Sequence, residues 1–312
     1  MNFGTVNLME QLAKGEVLLA EGAMGTELQK KGLEQGDCGE EWNVTRPEIV
    51  LDIHRSYVDL GVNLIYTNTF GATEIRLQEH RQKGRLEAIR GYGVDPDEIR
   101  ETSRLINSQA VLLAKEAIGD SPCFVGGDLG PTAGDKLIMG LCTEKDILET
   151  YREQGRDLKE AGVDLLVIET IFDPQESKLA YKAVENLGLP ILVSAAITRR
   201  NNLGDPATDF GVLVEQIPEL YPDATILGIN CGQDIDLTLE AIQRLSKCTD
   251  RPVLAKPNAG VPKVVDGQVV YSLNPNEIGE YAIRFVEAGA TIVGGCCGTT
   301  PEHIAAIRAS IR

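Results

Sequence analysis

Eight short apolar segments, each followed by a helical pattern, constrain the fold of this chain more than any other feature of its sequence. Most of them are continuous apolar runs, which is typical of strands buried on both faces of a parallel sheet. We predict strands at residues 17–20, 63–67, 123–127, 165–168, 191–195, 225–229, 253–256 and 291–294.

Helix-start signals follow these strands. Asp173 and Asn274 each precede a proline, and a glutamate lies three residues after each of them, as in a capping box. Similar starts occur at Asp95, Thr143 and Thr300, and glycine stops occur at Gly162, Gly188 and Gly289.

Because the strand–helix pattern never separates into two halves, it favours a closed α/β fold, the (β/α)8 TIM barrel, over an open doubly wound sheet. We predict that residues 1–312 form one such domain. Two segments are longer than the connections that a minimal (β/α)8 barrel requires. Residues 74–120 leave room for an additional helix, and residues 259–272 are predicted to form a long loop with a turn at Asp266-Gly267.

Charge and hydropathy exclude several function classes. The 47 acidic residues outnumber the 30 basic ones, which gives a net charge of −17, so we expect neither nucleic acid nor an anionic membrane as a partner. No apolar run approaches the ~20 residues that cross a bilayer, and the N-terminus lacks the apolar core of a signal peptide. We therefore expect a cytoplasmic protein. An odd number of cysteines, seven, then argues against a disulfide framework.

Polar residues follow the predicted strands, and in a barrel these positions converge on one mouth. Three of the seven cysteines are among them, each beside a glycine in the segments GINCG and GGCCG. The residues at this mouth are Glu21, Asn68, Thr69, Asp128, Glu169, Ser194, Asn230, Cys231, Asn258, Cys296 and Cys297.

The three cysteines at the mouth, Cys231, Cys296 and Cys297, are candidate ligands of one Zn²⁺ per chain. Zinc prefers sulfur and nitrogen ligands, and catalytic zinc sites use three protein ligands and leave the fourth position open. A redox pair or tight core packing is the alternative interpretation of the adjacent cysteines. We assign the other cysteines to packing, namely Cys38, Cys123, Cys142 and Cys248.

A three-thiolate zinc centre suits a thiol substrate better than hydrolysis, because an anionic complex acidifies water poorly but still deprotonates a thiol with a free pKa of ~8.5. The chemistry indicated is alkyl transfer to a thiol. Glu169 offers a carboxylate for a substrate ammonium, or else forms an ion pair within the protein. The glycine-rich turn at 21–28 either presents backbone N–H groups to a carboxylate or is only a tight turn.

At these residues the chain resembles the homocysteine S-methyltransferase family, most closely the homocysteine-binding module of cobalamin-dependent methionine synthase. The matching segments are GAMGTEL at 22–28, TNTFGAT at 67–73, GDLGPT at 127–132, DLLVIETIFD at 164–173, GINCG at 228–232, KPNAGVP at 256–262 and VGGCCGTTPEHI at 293–304. The resemblance implies that the three cysteines hold zinc, that the homocysteine sulfur takes the open position, and that methyl transfer gives methionine.

The resemblance also implies contacts to the substrate. It implies that the carboxylates of Glu21 and Glu169 hold the substrate ammonium, and that the backbone amides of Ala23 and Met24 contact the substrate carboxylate. It also implies that the Ser194 hydroxyl lines the pocket, and that the side chains of Asn68 and Asn230 support the residues that contact the substrate. Two departures bear on homocysteine as the specific thiol. The family usually has aspartate at position 21, and residues 201–205 lack its common Ser-Gly step.

Two other functions remain compatible with the sequence. The first is a methyltransferase subunit of a corrinoid system, which moves methyl groups between a small methylated substrate and a separate cobalamin-binding protein. The second is a non-catalytic barrel with structural zinc or a buried cysteine cluster. Because we expect no folate or cobalamin domain within 1–312, the methyl donor is a small molecule such as S-methylmethionine or betaine, or methylcobalamin on a separate protein.

Overall fold

The computed structural model describes residues 8–83, 96–132, 134–137, 139–170, 173–199, 206–207, 212–232, 234–265 and 268–311. The strands are β1 (Leu18–Leu19), β2 (Leu64–Tyr66), β3 (Phe124–Leu129), β4 (Leu165–Glu169), β5 (Ile191–Ala195), β6 (Thr198–Arg199), β7 (Pro206–Ala207), β8 (Ile226–Asn230), β9 (Val253–Lys256), β10 (Lys263–Val265), β11 (Gln268–Val270) and β12 (Ile292–Val293).

Helices pack around these strands. They are α1 (Leu8–Leu12), α2 (Gly25–Lys30), α3 (Trp42–Thr45), α4 (Pro47–Val58), α5 (Glu74–Gln82), α6 (Pro96–Ile118), α7 (Glu144–Ala161), α8 (Pro174–Val184), α9 (Ile217–Leu220), α10 (Ile235–Leu245), α11 (Pro275–Glu287) and α12 (Pro301–Ser310). Among the described helices, none is both long enough and apolar enough to cross a bilayer.

One parallel sheet of eight strands forms the barrel, in the order β1-β12-β9-β8-β5-β4-β3-β2. Its two edges meet at a parallel bridge between Ala20 and Leu64. Around this bridge the Asn63 N–H donates to the Leu19 carbonyl at 2.7 Å, and the Glu21 N–H donates to the Leu64 carbonyl at 2.9 Å. These bonds confirm the predicted (β/α)8 barrel and exclude the open sheet.

Each of the eight predicted strands is present, and their bounds differ most at the seam of the barrel and in β3. The first and last barrel strands keep two residues each where four were predicted, because the chain turns away beside the bridge. In contrast, β3 continues to Leu129, since Asp128 and Leu129 still pair with β4.

The predicted helix starts are present where the structure describes them. The Asp173 side chain accepts from the Gln175 N–H at 2.8 Å, and Asn274 forms a capping box with Glu277. Thr143 likewise caps α7, which ends at Gly162 with a φ of 97°. Asp95 lies outside the described residues, and the helix after it begins at Pro96.

The barrel lumen is packed and not hollow. Leu18, Leu64, Leu165 and Leu254 belong to one buried cluster inside the strands, and Leu8 of α1 joins the same cluster. A second, larger cluster lies between the strands and the surrounding helices. Since apolar side chains fill the lumen, a site for a ligand is confined to the carboxyl ends of the strands.

Of the two long segments, residues 74–120 contain α5 and α6, as the spare length predicted. Residues 259–272 are not the predicted loop, because β10 and β11 pair as an antiparallel hairpin in which Lys263 lies opposite Val270. The paired valines of this segment, at 264–265 and 269–270, favour strands, and this preference outweighed its turn signals. The turn at Asp266-Gly267 lies outside the described residues, as does the 201–205 segment.

The packing assignment of the four remaining cysteines is correct only in part. Cys38 and Cys123 are buried, as predicted. Cys142 is only partly buried, and Cys248 is exposed just after α10, so packing does not explain its presence.

Candidate metal and substrate site

The alternation of side chains along the strands builds the floor of the site. Leu64, Leu165 and Leu254 face the lumen, so the residues two and four positions further along such strands face it too. At the carboxyl ends of the strands these inward-facing residues are polar or charged, namely Tyr66, Asp128, Glu169, Ser194, Asn230 and Lys256.

The three predicted zinc ligands come together above this layer. The Sγ atoms of Cys231, Cys296 and Cys297 all lie within 4.8 Å of one another. A tetrahedral zinc with Zn–S bonds of ~2.3 Å separates its sulfurs by about 3.8 Å, so a small contraction closes the set around the ion. In the described part of the chain no other group of three His, Cys, Asp or Glu side chains is arranged in this way.

Backbone hydrogen bonds from one segment hold both cysteine loops. The Cys231 N–H donates to the Lys256 carbonyl at 3.1 Å, and the Cys296 N–H donates to the Pro257 carbonyl at 2.8 Å. The Ala259 N–H donates to the Cys297 carbonyl at 2.9 Å. The end of β9 therefore fixes the spacing between two loops that are far apart in sequence.

Local backbone geometry explains the glycines beside the cysteines. Cys231 has a φ of 51°, a left-handed conformation that costs a non-glycine residue about 1–2 kcal/mol. Gly232 follows with a φ of 119°. A Cβ on Gly294 would lie 2.8 Å from the Ala20 Cβ, so this glycine allows the last barrel strand to approach the first.

The three thiols are coupled through hydrogen bonds. The Cys297 sulfur accepts from Cys231 and from Cys296, which lowers the pKa of Cys297 to about 3. The same interactions raise the pKa of Cys231. The Tyr271 hydroxyl also donates to the Cys297 sulfur from just beyond the β10–β11 hairpin. These hydrogen bonds therefore favour the thiolate form of Cys297 over that of Cys231.

A cavity of about 460 Å³ leads from the cysteines to the surface. Glu21, Tyr66, Asp128, Glu169 and Lys256 line it together with the three cysteines. This volume lies in the range of small-molecule sites and exceeds that of one amino acid, so a thiol substrate and a second small group fit side by side.

Glu169 is buried beside the cysteines, and burial raises its pKa to about 7. Its Oε2 accepts from the Asn230 Nδ2 at 3.2 Å, and the Asn230 Oδ1 accepts from the Ser194 hydroxyl at 2.9 Å. Ser194 was predicted to line the pocket. Ser194 lies behind Asn230, to which its hydroxyl donates, and it is absent from the lining of this cavity.

Glu21 occupies a different environment from Glu169. Its Oε1 accepts from the Tyr66 N–H at 2.7 Å, and its Oε2 lies 4.0 Å from the His54 Nδ1 on α4. Burial raises the pKa of Glu21 to about 8 and lowers that of His54 to about 4. The carboxyl group is therefore directed in part toward α4, although the residue still lines the cavity.

The loop after β1 and the end of β2 form one wall of the cavity. The Ala23 N–H already donates to the Thr299 carbonyl at 3.4 Å, while Met24 stands directly before α2. The Asn68 Nδ2 donates to the Gly39 carbonyl at 2.9 Å and to the Asn43 Oδ1 at 3.1 Å. Asn68 thus ties this wall to α3.

Three residues of the site were missing from the predicted set of substrate contacts. Asp128 was noticed only as a strand-end residue, and Tyr66 and Lys256 were not considered as site residues. The two-residue alternation of strands would have predicted all three, since each lies an even number of residues after an apolar residue of its own strand that faces the lumen. The Tyr271 contact depends on how the hairpin folds back, and no local pattern predicts it.

Comparison with known proteins agrees with this geometry. A family model described as homocysteine S-methyltransferase matches residues 18–311. The chain belongs to the homocysteine S-methyltransferase family. The resemblance of its motifs to this family is therefore confirmed over nearly the whole length of the chain.

Individual relatives in this family cover the chain to different extents. Methionine synthase of Mycobacterium leprae is 31% identical over 322 residues, which span 98% of this chain and 25% of that protein. The chain thus corresponds to about a quarter of the length of this relative.

Solved structures superpose well on this chain. Homocysteine methyltransferase MmuM of Escherichia coli is 25% identical, with coverage of 97% of this chain and 99% of that one and a TM-score of 0.75 for its metallated form. A methyltransferase from Methanosarcina mazei, 12% identical, covers 95% of this chain and 93% of its own with a TM-score of 0.60, and it shares the fold.

Proposed function

We propose that this protein is a zinc-dependent homocysteine S-methyltransferase that converts L-homocysteine into methionine. The observation that carries the proposal is the convergence of three cysteine sulfurs within 4.8 Å of one another at the barrel mouth, beside the buried Glu169. Membership of the family supports the choice of thiol and favours this function over the corrinoid-system and non-catalytic interpretations.

Cys231, Cys296 and Cys297 are proposed to hold one Zn²⁺. The donor set fits this metal, because three sulfurs at this spacing leave one tetrahedral position open for the substrate. When bound, zinc supplies the Lewis acidity that keeps the substrate sulfur deprotonated near neutral pH. The hydrogen bond from Tyr271 to Cys297 then moderates the charge on that ligand.

The amino-acid end of homocysteine is proposed to bind along the adjacent wall. Glu169, oriented by Asn230, accepts the substrate ammonium, and Glu21 adds a second carboxyl group on the same side. Of the two amides in the Ala23-Met24 turn, that of Met24 is proposed to face the substrate carboxylate, because the Ala23 N–H is already bonded to the Thr299 carbonyl. This arrangement aims the sulfur toward the metal and leaves the outer part of the cavity for the methyl donor.

The reaction proposed is a direct displacement. The sulfur lone pair forms the new bond to the methyl carbon while the bond from that carbon to the donor breaks, and the donor keeps the electron pair. The proposed donor is a small methylated molecule such as S-methylmethionine or betaine, or methylcobalamin bound outside residues 1–312. Methionine formation with each donor in turn identifies it.

A comparison of two cysteine variants tests the proposal. Cys297→Ala should lose most bound zinc and all methionine formation, whereas Cys248→Ala should keep both because Cys248 is exposed and does not line the cavity. Zinc content is measured by metal analysis of the purified proteins. Full activity of a variant that lacks all three clustered cysteines would refute the proposed function.

A further inference from the structure

Lys256 is a buried cation that the proposed function does not yet use. It is the last residue of β9 and is only 3% exposed. Its Nζ lies 3.8 Å from the centroid of the Tyr66 ring, and its side chain lines the same cavity as the three cysteines.

The surroundings of this ammonium are strongly acidic. Glu21, Asp128 and Glu169 line the same cavity, and Lys256 acts against the effect of burial by lowering the pKa of each of these carboxyl groups. Even so, the Lys256 ammonium makes no direct ion pair with a side chain of the described residues, and its close contact among them is the face of the Tyr66 ring.

A buried charge without a direct counter-ion is costly, and a cation–π contact returns only about 0.5–2 kcal/mol. The position is therefore better explained by a negative charge that arrives with the substrate. Three cysteine thiolates and a substrate thiolate carry four negative charges against the two positive charges of Zn²⁺, which leaves a surplus of two in a low-dielectric cavity.

We propose that Lys256 is a positioning residue that stabilises the negative charge of the substrate sulfur in this cavity. The inference rests on the proposed function, because it requires a thiol bound at the three cysteines. Tyr66 holds the ammonium over its ring, so the charge stays in the lumen without being neutralised by any one of the three carboxylates.

The test compares Lys256→Met and Lys256→Arg with the wild type, all loaded with zinc, and uses Lys247→Met as the control because Lys247 is exposed. Calorimetry at neutral pH measures the dissociation constants of homocysteine and of 3-aminopropanethiol, which has the same thiol and amine but no carboxylate. We expect Lys256→Met to weaken both thiols by about 10- to 100-fold, Lys256→Arg to recover part of the loss, and zinc content to stay at one per chain.

Several results would overturn the inference. A loss confined to homocysteine would mean that Lys256 binds the substrate carboxylate, and a loss of zinc would mean that it acts on the cysteines. Unchanged binding in Lys256→Met would also overturn it while leaving the proposed function intact. Failure of the zinc-loaded wild type to bind either thiol would refute the proposed function itself. If Lys256→Met does not fold, Lys256→Gln replaces it in the same comparison.

Discussion

At the scale of single residues, two buried carboxylates on one wall differ in their surroundings. Glu169 faces the cysteines and is held by the Asn230 amide, while Glu21 is held by the Tyr66 N–H and lies near His54. The two carboxylates should therefore respond differently to the same substitution.

Glu169→Gln should weaken homocysteine binding by about 10- to 100-fold, because an amide loses the charge-assisted hydrogen bond to an ammonium. The affinity for zinc should change by less than about threefold, since Glu169 is not one of the three clustered residues proposed to hold the metal. Calorimetric titration of zinc and then of homocysteine measures both, with exposed Glu287→Gln as the control. Equal loss of zinc and homocysteine would show that Glu169 supports the metal instead.

The pH dependence of stability should report on Glu21. Burial raises its pKa to about 8 in the folded protein, so the folded state keeps a proton that the unfolded chain has already lost above about pH 4.5. Its contribution to stability is therefore complete in acid and is lost as pH rises toward 8. The free energy of unfolding of wild type, minus that of Glu21→Gln, should fall by up to about 1.4 kcal/mol per pH unit between pH 5 and 8. A difference that rises with pH, measured by urea titration, would contradict the assignment.

At the scale of elements, the sequence predicted what depends on local patterns. Continuous apolar runs indicated the eight barrel strands, and the capping residues at Asp173 and Asn274 indicated helix starts that the structure confirms. The three cysteines could be grouped because strand ends of a barrel converge. Lys256 was missed because strand ends were considered without the two-residue alternation, and the hairpin was missed because its valines lie among turn signals.

Helix α11 precedes the strand that leads to Cys296, so its start should matter for stability. Asn274→Ala removes the side chain that accepts from the Asn276 and Glu277 N–H groups and should cost about 1 kcal/mol. Asn276→Ala is the matched control, because only its backbone takes part in the cap. Urea unfolding of both variants measures the difference, and equal stability of the two would contradict the role of the cap.

At the scale of the whole molecule, the barrel should fold without the proposed zinc ion. The lumen is filled by apolar side chains below the site, and α1 contributes Leu8 to that cluster, so the core does not depend on the cysteine loops. Removal of zinc by a chelator should lower the melting temperature, since a ligand of the native state stabilises it. The far-ultraviolet circular dichroism at 25 °C should stay unchanged. Loss of the helical signal on chelation would show that the metal is structural.

The most direct test of the central claim is zinc-edge X-ray absorption of the zinc-loaded protein with and without homocysteine. The account predicts three sulfur ligands and one lighter atom in the free protein, and four sulfurs after homocysteine is added. An unchanged spectrum at saturating homocysteine would contradict the proposal that the substrate sulfur takes the position left open by Cys231, Cys296 and Cys297.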